Sequence, residues 1–391
     1  MKKIIDKLIL VFLFIQPFLD VITSIQIRYN FLSIYISSII RVLFMLFILI
    51  YMIVYKYDFK LIILLFIYGI IELVHLYFND LLYIFNVIKI FYLPVLIMFF
   101  SKYELKISKR SILIIYACYL LLLLIPTVFG FGFDIYASND NKKGFIGLFY
   151  GGNELSGILL GLLPIILIYL KDVKNIILRV LYYIVIAISF VILSTKTVLV
   201  GGIIVVLIYL YNSINKKKIF VISTISIVAL LFLILPFTPV VNNLKVALDY
   251  YGINNTQEMF SFYAIDNVIF SRRLTYAKNL FSEYESTSVV NKLFGMTRII
   301  KDAELDLVDI FITIGLIGFI IYIFIMTYLL RKNRLKNEYK ISLILFIIMS
   351  CFSGHILIKP AVAIYMALLF NLGKEDNHGT HSFNYNHKKR K

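Results

Sequence analysis

Apolar windows of about 17–25 residues recur along almost the whole chain, and each is long enough to cross a bilayer as one helix. Hydrophobic residues make up 61% of the 391 residues and charged residues only 16%, well below the roughly 25% of a soluble domain. We therefore predict an all-α polytopic membrane protein with about twelve transmembrane helices. The predicted spans are 8–25, 32–54, 61–78, 83–100, 111–130, 153–170, 176–193, 197–212, 219–237, 306–329, 341–357 and 358–372, of which the last two are short enough to form one hairpin instead.

Lysine and arginine gather in every second predicted loop, and this pattern predicts the topology. The formal net charge is +17, and in a polytopic protein such an excess marks cytoplasmic loops rather than a nucleic-acid site. The basic segments are 2–7, 56–60, 102–110, 171–174, 216–218, 331–340 and 388–391. We expect a multi-pass protein of the cell membrane with both termini cytoplasmic, and no nucleic-acid partner.

One long polar stretch follows the ninth predicted span and divides the chain. The divisions are a transmembrane bundle of about nine spans (1–237), a large extracytoplasmic loop (238–305), C-terminal spans (306–372) and a basic cytoplasmic tail (373–391). Two short amphipathic helices are predicted in the loop, at 241–250 and from Ser271, a residue type that caps helices. The second helix would present Arg272 and Arg273 in its first turn, where long side chains can reach into a cavity below.

The cysteines indicate neither a disulfide framework nor a metal site. Cys118 and Cys351 both fall within predicted spans, so they provide neither a disulfide framework nor a metal-ligand spacing. We expect no metal ion and no cofactor.

Ionisable side chains in the spans or at their edges are the first candidates for function, because each costs about 2.5–3.5 kcal/mol to insert at the bilayer centre. They are Asp20, Arg41, Glu72, His75, Lys89, Glu154, Arg179, Lys196, His355 and Lys359. For the first four and for Arg179, snorkelling or an internal ion pair is the favoured interpretation. Lys196 lies at an outer membrane edge, where the positive-inside rule disfavours cations, so a functional role is favoured. His355 and Lys359 share that location, and both interpretations stay open.

Five polar landmarks occur in an order that resembles the O-antigen ligase and O-antigen polymerase superfamily. They are GFIGLFYGGNELSGILLGLLP (144–164), LSTKTVLVGG (193–202), FSRRLTYAKNLF with NKLFGMT (270–281 and 291–297), AELDLVDIFITIGLIGFIIY (303–322) and SGHILIKPAV (353–362). Each segment alone is short. Their order, together with the large outer loop before the tenth predicted span, is similar to that of the family.

The resemblance implies a GT-C-like membrane glycosyltransferase that acts in surface polysaccharide biosynthesis. Such enzymes join a glycan carried on a polyprenyl diphosphate to an acceptor sugar hydroxyl on the outer membrane face. The implied partners are a polyprenyl-diphosphate-linked oligosaccharide, the lipid bilayer and other membrane proteins of polysaccharide assembly.

Cations are needed where charge develops on the diphosphate leaving group. The resemblance points to Lys196, Arg272 and Arg273, since arginine can clamp phosphate oxygens bidentately and lysine acts as a point charge. The other substrate-binding residues that the resemblance implies are Asn153, His355 and Lys359.

A base is needed within hydrogen-bond reach of the acceptor hydroxyl. The resemblance points to Glu304 or Asp306 as the catalytic carboxylate. Two residues so close in a helix cannot share one face, so only one of them should reach the acceptor, and we favour Glu304. The chain has Glu304-Leu305 where ligase-type members usually carry His-Asn, and Lys196 where they carry Arg. The Glu-x-Asp version looks more like the polymerases.

Four other interpretations remain open at this stage. Glu304 and Asp306 could form the metal-binding motif of a nucleotide-sugar transferase, although a hard cation wants more oxygen ligands. They could also be a solvated helix start that is favourable to the helix dipole. At the level of the whole protein, the alternatives are a ligase that transfers finished glycan to another acceptor, and a polysaccharide flippase or other transporter. A transporter would be expected to concentrate ionisable groups at the midplane in two matching halves.

Overall fold

The structure is a computed structural model that describes residues 2–31, 35–77, 83–136, 143–213, 261–268, 270–296 and 303–374, with the single residues Lys218, Val221 and Thr224. Three predicted features lie outside the described residues. They are almost all of the predicted span 219–237, the predicted helix 241–250 and nearly all of the predicted tail 373–391.

Fourteen helices are described. In chain order they are α1 (Lys2–Tyr29), α2 (Ile36–Val54), α3 (Phe59–Tyr77), α4 (Ile84–Phe100), α5 (Lys109–Val128), α6 (Gly152–Lys171), α7 (Ile176–Leu193), α8 (Lys196–Ser213), α9 (Phe262–Val268), α10 (Arg273–Ser286), α11 (Val289–Phe294), α12 (Asp306–Lys332), α13 (Asn337–Phe352) and α14 (Pro360–Leu372).

Seven of these helices are long and apolar enough to cross a membrane, namely α1, α2, α3, α5, α6, α7 and α12. The shorter apolar helices α4, α8 and α14 lie at three further predicted spans, and α7 has the predicted bounds 176–193. The protein is therefore a polytopic, mainly α-helical membrane protein. The predicted number of twelve spans is not confirmed by the described residues.

A β-hairpin departs from the all-α expectation. Strand β1 (Phe133–Tyr136) pairs antiparallel with β2 (Lys143–Gly147) between α5 and α6. Gly147 has a φ of +59°, and a Cβ there would overlap the backbone of Leu122 and Leu123 on α5. Only glycine permits this close approach. Strands of four and five residues are too short for their hydropathy period to be recognised in a sequence.

Helices α4, α6 and α14 form the buried centre of the bundle. Glycines on α6 allow its neighbours to approach closely, as small residues do in membrane bundles. A Cβ at Gly161 would overlap the ring of Phe346 on α13, and one at Gly157 would lie 2.6 Å from Ile356 Cδ1. The start of α6 is thereby packed against the chain between α13 and α14.

Polar contacts distinguish the two ends of the bundle. At one end Lys109 pairs with Asp172 at 2.5 Å, and Lys332 pairs with Asp58 at 2.5 Å. Four of the basic predicted loops thus meet at this end, and its cytoplasmic location stays a prediction. The starts of α6, α8, α12 and α14 meet at the opposite end, where Asn153 donates to the carbonyl of residue 353 at 2.7 Å.

Helix α12, predicted as one continuous span, is broken at Gly315, where φ is +63° and ψ is −174°. The break frees backbone carbonyls, which neighbouring groups satisfy. The Tyr68 hydroxyl donates to the carbonyl of Ile314 at 3.2 Å, and the amide of Met296 donates to that of Ile312 at 2.9 Å. The first turns of α12 can therefore be oriented independently of the rest of the helix.

Candidate functional site

A buried carboxylate fixes the segment between α13 and α14. Asp306, the first residue of α12, is fully buried and accepts hydrogen bonds from three consecutive backbone amides. They belong to His355 (2.5 Å), Ile356 (2.8 Å) and Leu357 (2.7 Å). Both carboxylate oxygens of Asp306 are therefore occupied by backbone groups. Segment 353–359 and the start of α12 are held together as one unit.

A second buried carboxylate fixes the chain on the other side. Asp309 accepts from the amides of Ala303 (2.8 Å) and Leu305 (3.1 Å). Glu304 lies between these two residues, with a φ of +57°. Gly354, with a φ of +64°, packs so closely on the Glu304 backbone that a Cβ would overlap its carbonyl oxygen. The backbone at Glu304 is therefore held from both sides.

A third buried carboxylate caps the N-terminus of α10. Asp266 accepts from the amides of Leu274 and Thr275, both at 2.9 Å, and so caps the helix from the preceding segment. Arg272 adopts a left-handed conformation at the N-cap, and its Nε donates to Asn267 Oδ1 at 2.9 Å. This arrangement orients the next residue, Arg273.

The Arg273 guanidinium joins these parts. Its Nη2 and Nε donate to Glu304 Oε2 at 2.8 and 3.3 Å, and its Nη1 donates to the Phe352 carbonyl at 2.6 Å. The side chain of Arg273 is 13% exposed and that of Glu304 is 42% exposed. Within the described part of the chain, nothing donates to the second carboxylate oxygen, Glu304 Oε1. The pair thus keeps Glu304 oriented and leaves one of its oxygens open.

Lys196 lies at the exposed start of α8, close enough to Arg273 for the two cations to repel each other. The neighbouring hydroxyls fix this helix start against the rest of the site. Thr197 and Ser353 share a hydrogen bond of 2.5 Å, and Thr195 and Ser156 share one of 2.8 Å. Lys196 and Arg273 therefore form an electropositive edge beside Glu304.

The remaining predicted residues surround segment 353–359. Lys359 pairs with Glu154 at 2.8 Å, and the Asn153 side chain donates to the Ser353 carbonyl. His355 is half-buried, and its backbone amide donates to Asp306. These contacts make Asn153 and Lys359 supports of the segment as well as candidates for binding.

Backbone strain is concentrated at this end of the bundle. Eight described residues other than glycine have a left-handed φ, and five of them belong to the site. The five are Ser194, Ser271, Arg272, Glu304 and His355. Each such residue costs about 1–3 kcal/mol, and strain of this kind tends to collect at functional sites. The strained backbone of this region therefore lowers the folding free energy gained there, and it fixes the directions of the side chains.

The structure brings Lys196, Arg273 and Glu304 together, as the sequence predicted. It differs for Asp306, whose oxygens are occupied and buried, and for Arg272, whose side chain turns toward Asn267. Sequence reasoning missed Asp266 and Asp309, because their partners are backbone amides that no motif reveals. In the described ranges, no cluster of three or more His, Cys, Asp or Glu side chains could hold a metal ion.

Comparison with known proteins identifies the family. The chain matches the family described as O-antigen ligase like membrane protein over residues 2–261 and 263–372. No curated protein and no solved structure matches the chain. The match covers nearly the whole chain, so the protein belongs to the O-antigen ligase-like membrane proteins, and the resemblance seen in its motifs is confirmed. It is accordingly a glycan-transferring membrane enzyme of surface glycan assembly.

Proposed function

We propose that this member of the O-antigen ligase-like family polymerises polyprenyl-diphosphate-linked oligosaccharide units on the outer membrane face during surface polysaccharide biosynthesis. The observation that carries the proposal is the Arg273–Glu304 pair, in which a half-exposed carboxylate is oriented through one oxygen and keeps the other open. A base that acts on a bulky acceptor must be fixed and accessible at once, and this pair meets both needs.

In the proposed reaction, the acceptor hydroxyl oxygen bonds to the anomeric carbon of the donor glycan. The bond between that carbon and the diphosphate oxygen breaks, and the electron pair leaves with the polyprenyl diphosphate. Glu304 Oε1 takes the hydroxyl proton and later returns it to water. Lys196 and Arg273, with Arg272 at the rim, stabilise the negative charge that develops on the leaving diphosphate.

Glu304 is a better proton acceptor than Asp306 for a geometric reason. The Asp306 carboxylate is fully buried and accepts three backbone amides, so no acceptor sugar can reach it. We assign Asp306 a positioning role, because it ties Glu304 to segment 353–359. Asn153, His355 and Lys359 would border the bound glycan from that segment and from α6.

Polymerase and ligase differ in the acceptor, and the chain offers one distinguishing feature. Glu304-Leu305 stands where ligase-type members usually carry His-Asn, which favours the polymerase. Transfer of finished glycan to a different acceptor is the second candidate. A flippase is disfavoured, because the candidate residues Lys196, Arg273 and Glu304 lie together at one end of the bundle and not in two matching halves.

Orientation is part of the proposal, since the donor glycan is used outside. Both termini would be cytoplasmic, in accordance with the basic loops. With Cys118 and Cys351 replaced by serine, a cysteine at exposed Glu285 should react with an impermeant thiol reagent in whole cells, and one at exposed Asn337 should not. The opposite pattern would exclude an outward-facing site.

Turnover in a purified system tests the function itself. Protein in lipid nanodiscs, supplied only with the lipid-linked repeat unit, should produce a ladder of polymers and release one polyprenyl diphosphate per linkage. A single transfer that requires another acceptor would identify the ligase. Intact donor with no released diphosphate would reject both. Full activity in the presence of a chelator is expected, whereas activity restored only by magnesium or manganese would favour the metal-binding interpretation of Glu304 and Asp306.

A further inference from the structure

A second polar region lies deeper in the bundle, in a cavity among α1, α2, α4, α5, α6 and the start of α14. Its empty volume, including the open mouth, is about 1010 Å³. Its ionisable lining residues, tyrosines aside, are Asp20, Arg41, Lys89, Glu154 and Lys359. Three cations and two anions leave a net charge of only +1.

The innermost charges of the cavity are paired with each other and hydrogen-bonded to neighbouring helices. Arg41 pairs with Asp20 at 2.5 Å, and its Nε donates to Gln16 Oε1 at 3.0 Å. The Tyr119 hydroxyl donates to the other oxygen of Asp20, also at 3.0 Å. Burying such a pair gives little or no net stability compared with apolar packing. An ion pair kept inside a membrane bundle is therefore a candidate functional feature, here as part of the cavity wall.

One polar group at the cavity wall lacks a partner among the described residues. The hydroxyl of Tyr92 on α4 is buried and makes no hydrogen bond, although Arg41 lies nearby. A buried polar group without a partner is costly unless a ligand or water supplies one. Tyr92 thus supplies an unused hydrogen-bonding group immediately behind the cavity wall.

The cavity and the Glu304 site share a wall. Lys359 and Glu154 line the cavity at one end of segment 353–359. At the other end, Arg273 donates to Phe352, and the Glu304 backbone packs on Gly354. Asp306, which accepts from the amides of Ile356 and Leu357, ties this segment to the chain that carries Glu304.

We propose that this cavity binds sugar residues of the glycan substrate, a site separate from the cations that hold the diphosphate. Paired carboxylates and cations, hydroxyls and aromatic rings offer many donors and acceptors with almost no net charge, which suits a neutral, hydroxyl-rich ligand. A diphosphate would instead require an excess of cations, and Lys196, Arg272 and Arg273 supply that excess beside Glu304. This inference rests on the proposed function, since it takes the glycan as the substrate.

Binding can be measured without turnover. The chain contains no tryptophan, so Phe85→Trp, a partly exposed cavity-lining position, introduces a single indole reporter. The probe is the free repeat-unit oligosaccharide, released by mild acid from the lipid-linked intermediates of the producing cells. Saturable change in tryptophan fluorescence of the nanodisc-embedded protein is expected.

Two tyrosine variants localise the bound sugar. In the reporter background, Tyr92→Phe should weaken oligosaccharide binding about 3- to 10-fold, the scale of one lost hydrogen bond. Tyr322→Phe is the matched control, because the Tyr322 hydroxyl is also buried without a partner but does not line the cavity. It should bind as the reporter protein does. Equal weakening in both variants would overturn the assignment.

The same assay separates this inference from the proposed function. No saturable signal from the oligosaccharide, in a protein that still polymerises lipid-linked repeats, would refute the cavity site and leave the function standing. Displacement of the oligosaccharide signal by polyprenyl phosphate without sugars would also overturn the proposal, because the cavity would then hold lipid. Elongation of the free oligosaccharide identifies the bound sugars as the acceptor's, whereas inhibition without elongation identifies them as the donor's. Binding without any turnover would contradict the function instead.

Discussion

Two arginine–carboxylate pairs of similar geometry lie in different surroundings and illustrate two uses of charge in a membrane protein. In the Arg41–Asp20 pair the side chains are 8% and 12% exposed; Arg41 also donates to Gln16, and Asp20 also accepts from Tyr119. In the Arg273–Glu304 pair they are 13% and 42% exposed, and one carboxylate oxygen stays open. The first pair is a closed element of a cavity wall. The second is oriented and still available for reaction.

The backbone around the two pairs differs as well. Asp20 and Arg41 lie on regular helices, where their positions follow from helix packing. Glu304 has a strained, left-handed backbone conformation. Asp309 accepts hydrogen bonds from the amides on both sides of Glu304, and Asp306 accepts from the amides of segment 353–359. Packing of regular helices is enough to position the buried pair. The accessible Glu304 is positioned instead by the hydrogen bonds that Asp306 and Asp309 accept from backbone amides. Variants can break each half of this comparison.

The largest expected effect is on stability, at the buried pair. Asp20→Asn leaves Arg41 buried without its counter-charge, and the free energy of unfolding should fall by about 3–5 kcal/mol. Asp172→Asn is the control, since the Lys109–Asp172 pair is 60% and 56% exposed and should contribute less than about 1 kcal/mol. Unfolding in mixed micelles measures both. Equal losses would mean that the inner pair is hydrated and is not a closed element of the bundle.

The next effect concerns the support of Glu304. Gly354→Ala forces a Cβ against the Glu304 carbonyl at a left-handed φ, so the carboxylate should shift. Displacements of about 1 Å can cost 100-fold in rate, and we expect a loss of that order in turnover. Gly69→Ala on α3 is the matched control, because a Cβ there meets nothing within 4 Å. Unchanged turnover in Gly354→Ala would show that the position of Glu304 is not critical.

The smallest expected effect distinguishes the two adjacent arginines. Arg273 donates from three nitrogens to two partners, and lysine cannot span them, so Arg273→Lys should lower turnover about tenfold or more. Arg272→Lys should cost less, because exposed Arg272 contributes mainly charge at the rim of the site. Polymer length in cells and turnover in nanodiscs report both variants. The reverse ranking would transfer the orienting role to Arg272.

The parts of the fold that depend on local composition could be predicted from the sequence. Helix α7 has its predicted bounds, because an apolar run between polar caps determines a span by itself. The break at Gly315 could not be seen, since it depends on Tyr68 and on the loop at Met296 to satisfy the freed carbonyls. A single glycine in an apolar run carries no sign of such distant partners.

The candidate site also combines features that local sequence reveals with features that depend on distant residues. The roles of Lys196, Arg273 and Glu304 stay predictions, but the motifs indicated residue types suited to the chemistry, so these three residues were singled out from the sequence. Their supports were not, because the partners of Asp306 lie 49 to 51 residues away and are backbone amides, which any residue could supply. The in-span interpretation of Asp20 and Arg41 as an internal ion pair agrees with the observed contact. That the pair borders a cavity depends on how six helices pack.

The central claim is that Glu304 accepts the proton of the acceptor hydroxyl, and one substitution tests it most directly. Glu304→Gln keeps size and polarity but removes basicity, so turnover of the lipid-linked repeat should fall by roughly 10²–10⁴-fold. Binding of the lipid-linked donor and the unfolding midpoint should stay as in the unmodified protein, and Glu285→Gln, on the exposed side of α10, should retain full activity. Turnover in Glu304→Gln within a few-fold of that control would contradict the account and remove Glu304 from the reaction.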